Sequence, residues 1–174
     1  MSTVLISTTT EPATVAQIKA LIPIISPDHD ARIASLITGF RLEAEQITGR
    51  SLATNTYQIK LDKFPHEIRL LWPPIVSVQS VQYVDTNGTT QTLSSALYVV
   101  DSHSAPGWIL PAANTDWPDT YDTANAVTVN YTAGYGAAAP ETVRLWLSNR
   151  IREKIDGEQP STHTDGLLDH LKVY

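Results

Sequence analysis

Hydrophobic residues change their period twice along this chain, and that switch limits the possible folds more than any single motif. Ile33, Leu36, Ile37, Phe40, Ala44 and Ile47 recur at helical spacing, the stripe of a helix with one buried face. From Ala53 to Gly136 the pattern becomes short β-rich runs divided by turn residues. Val143, Leu147, Ile151 and Ile155 then return at intervals of four, with Trp146 widening the face. Helix, strands, helix within 174 residues is an α+β chain: N- and C-terminal helices packed as a small helical core, with an inserted antiparallel β region resembling a barrel or sandwich. The divisions are 1–52, an N-terminal helical part; 53–136, the β insertion; 137–157, a helix packing on the first part; and 158–174, a flexible tail.

Boundary signals sharpen the elements. After a polar leader, Thr14 with Gln17 forms a capping-box pattern for a short helix to Ile22. Ser26 can cap the next helix, Pro27 suits its first position, Asp28 and Asp30 complement its positive end, and Gly49 supplies the stop. Leu42 falls off the apolar stripe. The expected strands are Thr56–Asp62, Ile68–Leu71, Val76–Asp85, Thr89–Leu93, Tyr98–Asp101, Trp108–Leu110 and Ala126–Thr132. Alternation slips near Ser80, a bulge signal, and Asp85-Thr-Asn-Gly88 reads as a hairpin turn. Val127, Val129 and Tyr131 share a face, whereas Pro111 to Asn125 reads as a long polar loop. Pro140 and Glu141 open the last helix, with Arg144, Arg150, Arg152 and Lys154 on its remaining surface, and Gly157 and Pro160 end it.

Charge is distributed unevenly. The net charge is −6, and no Lys or Arg occurs from residue 70 to 143, a stretch that holds six acids. Without a basic cluster the chain is poorly suited to gripping nucleic acid or an anionic membrane. With no cysteine, disulfides, zinc–thiolate sites and thiol nucleophiles are excluded. Neither a signal-peptide pattern nor an apolar run long enough for a membrane span is present.

Catalytic constellations fare no better. Gly134-Tyr-Gly136 lacks the third glycine and the strand-to-helix context of a dinucleotide loop, and reads as a turn. Asp116 and Asp119 beside Trp117 could mimic a glycosidase pair but suit a solvated loop better. Asp28-His29-Asp30 serves a helix start. His163 with Asp165, and Asp169 with His170, lack a third fixed ligand for a metal. The reading is of a chain with no catalytic residue, cofactor or metal.

Several stretches, in this order, resemble the head–tail connector (adaptor, or head-completion) proteins of long-tailed double-stranded DNA bacteriophages and prophages. They are Glu11-Pro-Ala-Thr, Ile37-Thr-Gly-Phe-Arg-Leu-Glu-Ala-Glu-Gln-Ile-Thr-Gly-Arg-Ser-Leu, Trp72-Pro-Pro-Ile-Val-Ser-Val, Tyr83-Val-Asp-Thr-Asn-Gly, Tyr98-Val-Val-Asp, Pro106-Gly-Trp-Ile, Trp117-Pro and Tyr131-Thr-Ala-Gly-Tyr-Gly. The resemblance implies a non-enzymatic virion protein, assembled in the host cytoplasm, that forms a dodecameric ring with itself below the portal protein. Such a ring extends the DNA channel without sequence-specific binding and gives the stopper or tail-completion protein a docking surface; no membrane is involved. By the same analogy Leu167, Leu168, Leu171, Val173 and Tyr174 would dock to the portal. Leu42, Leu145 and the exposed β edges offer surface for subunit contacts, and Asp85, Asp116, Asp119 and Asp122 would face the channel or the tail-side partner. The competing expectation is an acidic β-rich tail or receptor-binding module that stacks host glycans on Trp108 and Trp117.

Overall fold

The structure is a computed structural model and describes residues 2–23 and 27–173, apart from the side chains of Pro27 and Asp165. Ser26, expected as a cap, and Tyr174 lie outside the described residues. The chain divides into two compact units. One is β-rich and comprises 55–134 with the segment up to Thr8; the other is helical and comprises 9–54 with 135 onward.

The helical unit contains α1 (Val15–Leu21), α2 (Asp30–Thr48), α3 (Glu141–Asp156) and α4 (Thr162–Gly166). The expected capping box is present: Gln17 N–H donates to Thr14 Oγ1, and Thr14 N–H donates to Gln17 Oε1 at 2.8 Å. Gly49 and Gly157 both sit in left-handed backbone (φ 67° and 76°), where a Cβ would clash with the following carbonyl, and stop α2 and α3. Ile18, Ile33, Ile37, Val143, Trp146, Leu147 and Ile151 form its core, so the periodic stripes face one another. Ile47 departs from its stripe and is exposed.

Two polar groups also depart from a surface reading. Arg150, expected on the outer face of α3, lies with its guanidinium 5.6 Å from the Phe40 ring and 5.4 Å from the Trp146 ring and pairs with Glu43; its stem and planar head can bury against aromatics while the charge stays paired. Arg41 is buried, donating to Glu11 at 3.1 Å and to Glu45 at 2.9 Å. Burial opposes its charge, but the bonds and charges of Glu11 and Glu45 outweigh that and raise its pKa.

The β unit holds two antiparallel sheets, and no closed barrel forms among the described residues. The larger has the order β1 (Ser2–Thr10), β2 (Thr54–Leu61), β8 (Val127–Ala133), β4 (Ile75–Val84), β5 (Thr90–Thr92). The smaller has the order β3 (Ile68–Leu70), β7 (Gly107–Pro111), β6 (Tyr98–Asp101). Central β8 alternates as its sequence requires: Val127, Val129, Tyr131 and Ala133 are buried and the residues between are half-exposed. Val129 lies opposite both Ile59 and Val81, and Ile68, Leu70 and Ile109 of the smaller sheet join the same core. Tyr57 stacks on Tyr131 at 5.4 Å, and the buried Tyr131 hydroxyl donates to Leu71 O at 2.8 Å.

β4 carries two register shifts, between Ile75 and Ser77 and between Val78 and Ser80, where one slip was expected. The Asp85 turn forms as expected: Gly88 has φ 81° and donates its N–H to Asp85 O, while Asp85 Oδ1 accepts the N–H groups of Asn87 and Thr89. The supposed polar leader is in fact the edge strand β1. Nearly every residue of it is exposed, so it carries no inside–outside alternation from which a strand could be recognised.

Candidate assembly surfaces

The described residues among those expected to dock elsewhere are strapped to the helical unit. Ser161 caps α4, and the buried Glu153 Oε1 accepts Ser161 N–H at 3.2 Å and Thr164 Oγ1–H at 3.0 Å. Leu168 is fully buried and Leu171 nearly so, both in the core of the helical unit, with Leu167 packed against it. Arg50 Nε donates to Leu171 O at 2.6 Å, and Val173 N–H donates to Thr48 O at 2.8 Å. The segment expected to be a flexible tail is packed here, because three leucines gain more by joining the helical core than by remaining in water. Of the five residues expected to dock, Leu167 and Val173 are half-exposed.

Leu42 and Leu145 are exposed on α2 and α3. The acids fall into two kinds. Asp85 is committed to its turn: the hydrogen bond from Gln91 Nε2, and then that from Thr89 N–H, hold its carboxyl below the usual value. Asp116, Asp119 and Asp122 are exposed in the loop after β7. That loop is pinned rather than loose. Trp117 stacks on Phe64 at 4.8 Å, nearly parallel, and its Nε1–H donates to His66 O at 3.2 Å. With one ring face covered, Trp117 serves the loop's own anchoring, and Trp108 on β7 is half-buried.

An open cleft of about 260 Å³ lies among Phe40, Arg150, Glu153, Lys154 and Pro160. Glu153 Oε2 in it has no hydrogen-bond partner, and its distance to Arg150 is 3.7 Å. Among the described residues no group of three or more His, Asp or Glu could hold a metal ion. Asp30 pairs with Lys19, Asp169 with Lys172, and His170 meets Thr142. No described helix is long and apolar enough to cross a membrane.

Sequence reasoning missed the most exposed apolar run. Val4, Leu5 and Ile6 on β1 are all exposed. Three consecutive apolar residues in an otherwise polar segment were the available signal.

No family model matches the chain, and no curated protein matches it. Solved structures do. A chain in the neck of an empty gene transfer agent particle, computed with C6 symmetry, superimposes with a TM-score of 0.78 at 16% identity, covering 100% of this chain and 96% of that one. A chain in the virion of a native gene transfer agent particle gives 0.76 at 18% identity with the same coverage. One in the neck of the native particle, computed with C12 symmetry, gives 0.72 at 19% over the same shares. From end to end, this chain has the fold of a protein found in the necks of gene transfer agent particles.

Proposed function

We propose that this protein is a structural, non-enzymatic component of the neck of a phage-like virion. In this role it forms an adaptor ring below the portal, continues the DNA channel and presents a surface to the stopper or tail. The single observation that carries this reading is the full-length fold likeness to chains in particles of sixfold and twelvefold symmetry. Charge supports it, since a β region almost free of Lys and Arg surrounds DNA without the counterion release that would hold it.

Within this reading Leu42 and Leu145 contribute to side-by-side contacts, and Asp116, Asp119 and Asp122 face the channel or the tail-side partner. Asp85 belongs to that acidic set by charge but also supports its own turn. The C-terminal segment meets the portal through its outer, half-exposed surface around Leu167 and Val173, because Leu168 and Leu171 are occupied in the core. The test is to mix the purified protein with its cognate portal and image the product by electron microscopy. A ring on one face of the portal is expected; a protein that stays monomeric beside unoccupied portals would overturn the reading.

A further inference from the structure

We infer that β1 is an intersubunit strand, and that its occupant is a second copy of this chain contributing the exposed edge of β6. The inference rests on the ring reading above and names the contact that would close it.

β1 is a sheet edge: it is terminal in its sheet, and among the described residues only β2 pairs with it. Its nine residues, Ser-Thr-Val-Leu-Ile-Ser-Thr-Thr-Thr, carry no charge and no proline. Val4, Leu5 and Ile6 are 51%, 42% and 54% exposed. Side chains alternate across a strand, so Leu5 emerges on one face and its two neighbours on the other. A long, uncharged edge strand with bare apolar residues is the arrangement that lone soluble chains guard against, because its free N–H and C=O groups template pairing.

The opposite edge of the same sheet is guarded. There β4 is bulged twice and β5 covers it with three residues, opposite Gln82, Tyr83 and Val84. Bulges and short edge strands block edge pairing. Protection at one edge and none at the other marks β1 as a strand presented for use.

The matching patch is on the smaller sheet. β6 is also terminal; Leu97 just before it is exposed, and Val99 is 55% exposed while Tyr98 and Val100 turn to the core. Its one charged residue, Asp101, is engaged by the turn that follows β6, accepting from His103 N–H, Ser104 N–H and the Ser104 hydroxyl. β1 and β6 are different patches of one chain. A contact between different patches is heterologous, and when its rotation closes it generates a ring.

The chain has no cysteine, so Val4→Cys with Val99→Cys would carry the sole thiols. Oxidation of the purified double variant should give a ladder of disulfide-linked oligomers on a non-reducing gel, while neither single variant does so. A covalent dimer from Val4→Cys alone, or no ladder from the double variant, would overturn the inference. A second arm does not depend on disulfide geometry. Ile6→Lys should weaken self-association in sedimentation by about tenfold or more, whereas Gln79→Lys on the guarded edge should leave it unchanged; equal behaviour of the two also overturns it. Rings formed on the portal by Ile6→Lys as readily as by the unaltered chain would remove β1 and leave the adaptor reading intact. Absence of rings from both would remove the adaptor reading itself.

Discussion

Glu45 Oε1, in the last turn of α2, accepts the backbone N–H of Leu52 at 2.8 Å, seven residues further on. The same oxygen accepts Ala53 N–H at 3.2 Å, and Oε2 takes Arg41 at 2.9 Å. One buried carboxylate thus satisfies two amides as the chain leaves the helix and holds the guanidinium below it. Glu45→Ala strands all three donors and should cost about 3–5 kcal/mol, as breaking a buried pair does. Glu45→Gln keeps the amide acceptor and should cost less, about 1–3 kcal/mol. Urea unfolding of the two variants checks the ordering.

Tyr131 gives the β unit an alkaline limit. Its phenol is held above the ordinary value of 10.0, first by burial and then by neighbouring Tyr57. A group raised in the folded state contributes stability below its unfolded pKa and loses it as pH rises through the folded one. Stability should therefore decline from about pH 10 upward, less steeply in Tyr131→Phe. At neutral pH that variant should lose about 1–2 kcal/mol, because Leu71 O is left without its donor.

Asp85 acts at the acid end. Its carboxyl is depressed below 3.8, first by Gln91 and then by Thr89. A depressed carboxylate stabilises the fold above its unfolded pKa, and the contribution vanishes as pH falls through the folded value. The stability gap between the unaltered chain and Asp85→Asn should therefore be full above about pH 5 and shrink below about pH 4. Denaturation measured across that range reads it directly.

Leu168 separates a packed C-terminal segment from a free one. Leu168→Ala should cost about 2–5 kcal/mol, the range for a buried leucine. Removing 158–174 should destabilise the helical unit, since it uncovers the core and takes away Glu153's partners. Thermal unfolding unchanged by either alteration would contradict the packing described.

Trp117 holds the acidic loop. Trp117→Ala removes the stack on Phe64 and the bond to His66 O, and should cost about 1–2 kcal/mol. Limited proteolysis should then cut between Ala112 and Asn125 sooner than in the unaltered chain.

The elements legible beforehand were those with a repeating period or a cap. The Thr14–Gln17 box, the Gly49 stop and the alternation of β8 all stand where local chemistry puts them. What escaped was non-periodic. β1 has both faces exposed and therefore no alternation to read. Arg41 and Glu45 look like ordinary surface charges until Glu11, thirty residues earlier, supplies the further partner that makes Arg41's burial tolerable. The terminal leucines were read as awaiting a partner because the core that takes them in joins residues of α3 to residues of α1 and α2 more than a hundred positions away. Leu42 and Leu145 were legible as off-stripe or exposed apolar positions, whereas which strand ends the larger sheet is set by the strand order, which the sequence does not display.

The helical unit is written in two pieces, with residues 55–134 between them. Phe40 meets Trp146 edge-on at 6.3 Å, so this core cannot close until Trp146 itself has been synthesised. The β strands, whose partners all lie within the intervening stretch save β1, can pair while synthesis continues. Closing a loop of that length costs only a slowly growing entropy, and a β unit already folded would shorten it further. The order of synthesis thus leaves the first helices waiting, and completes the helical unit last.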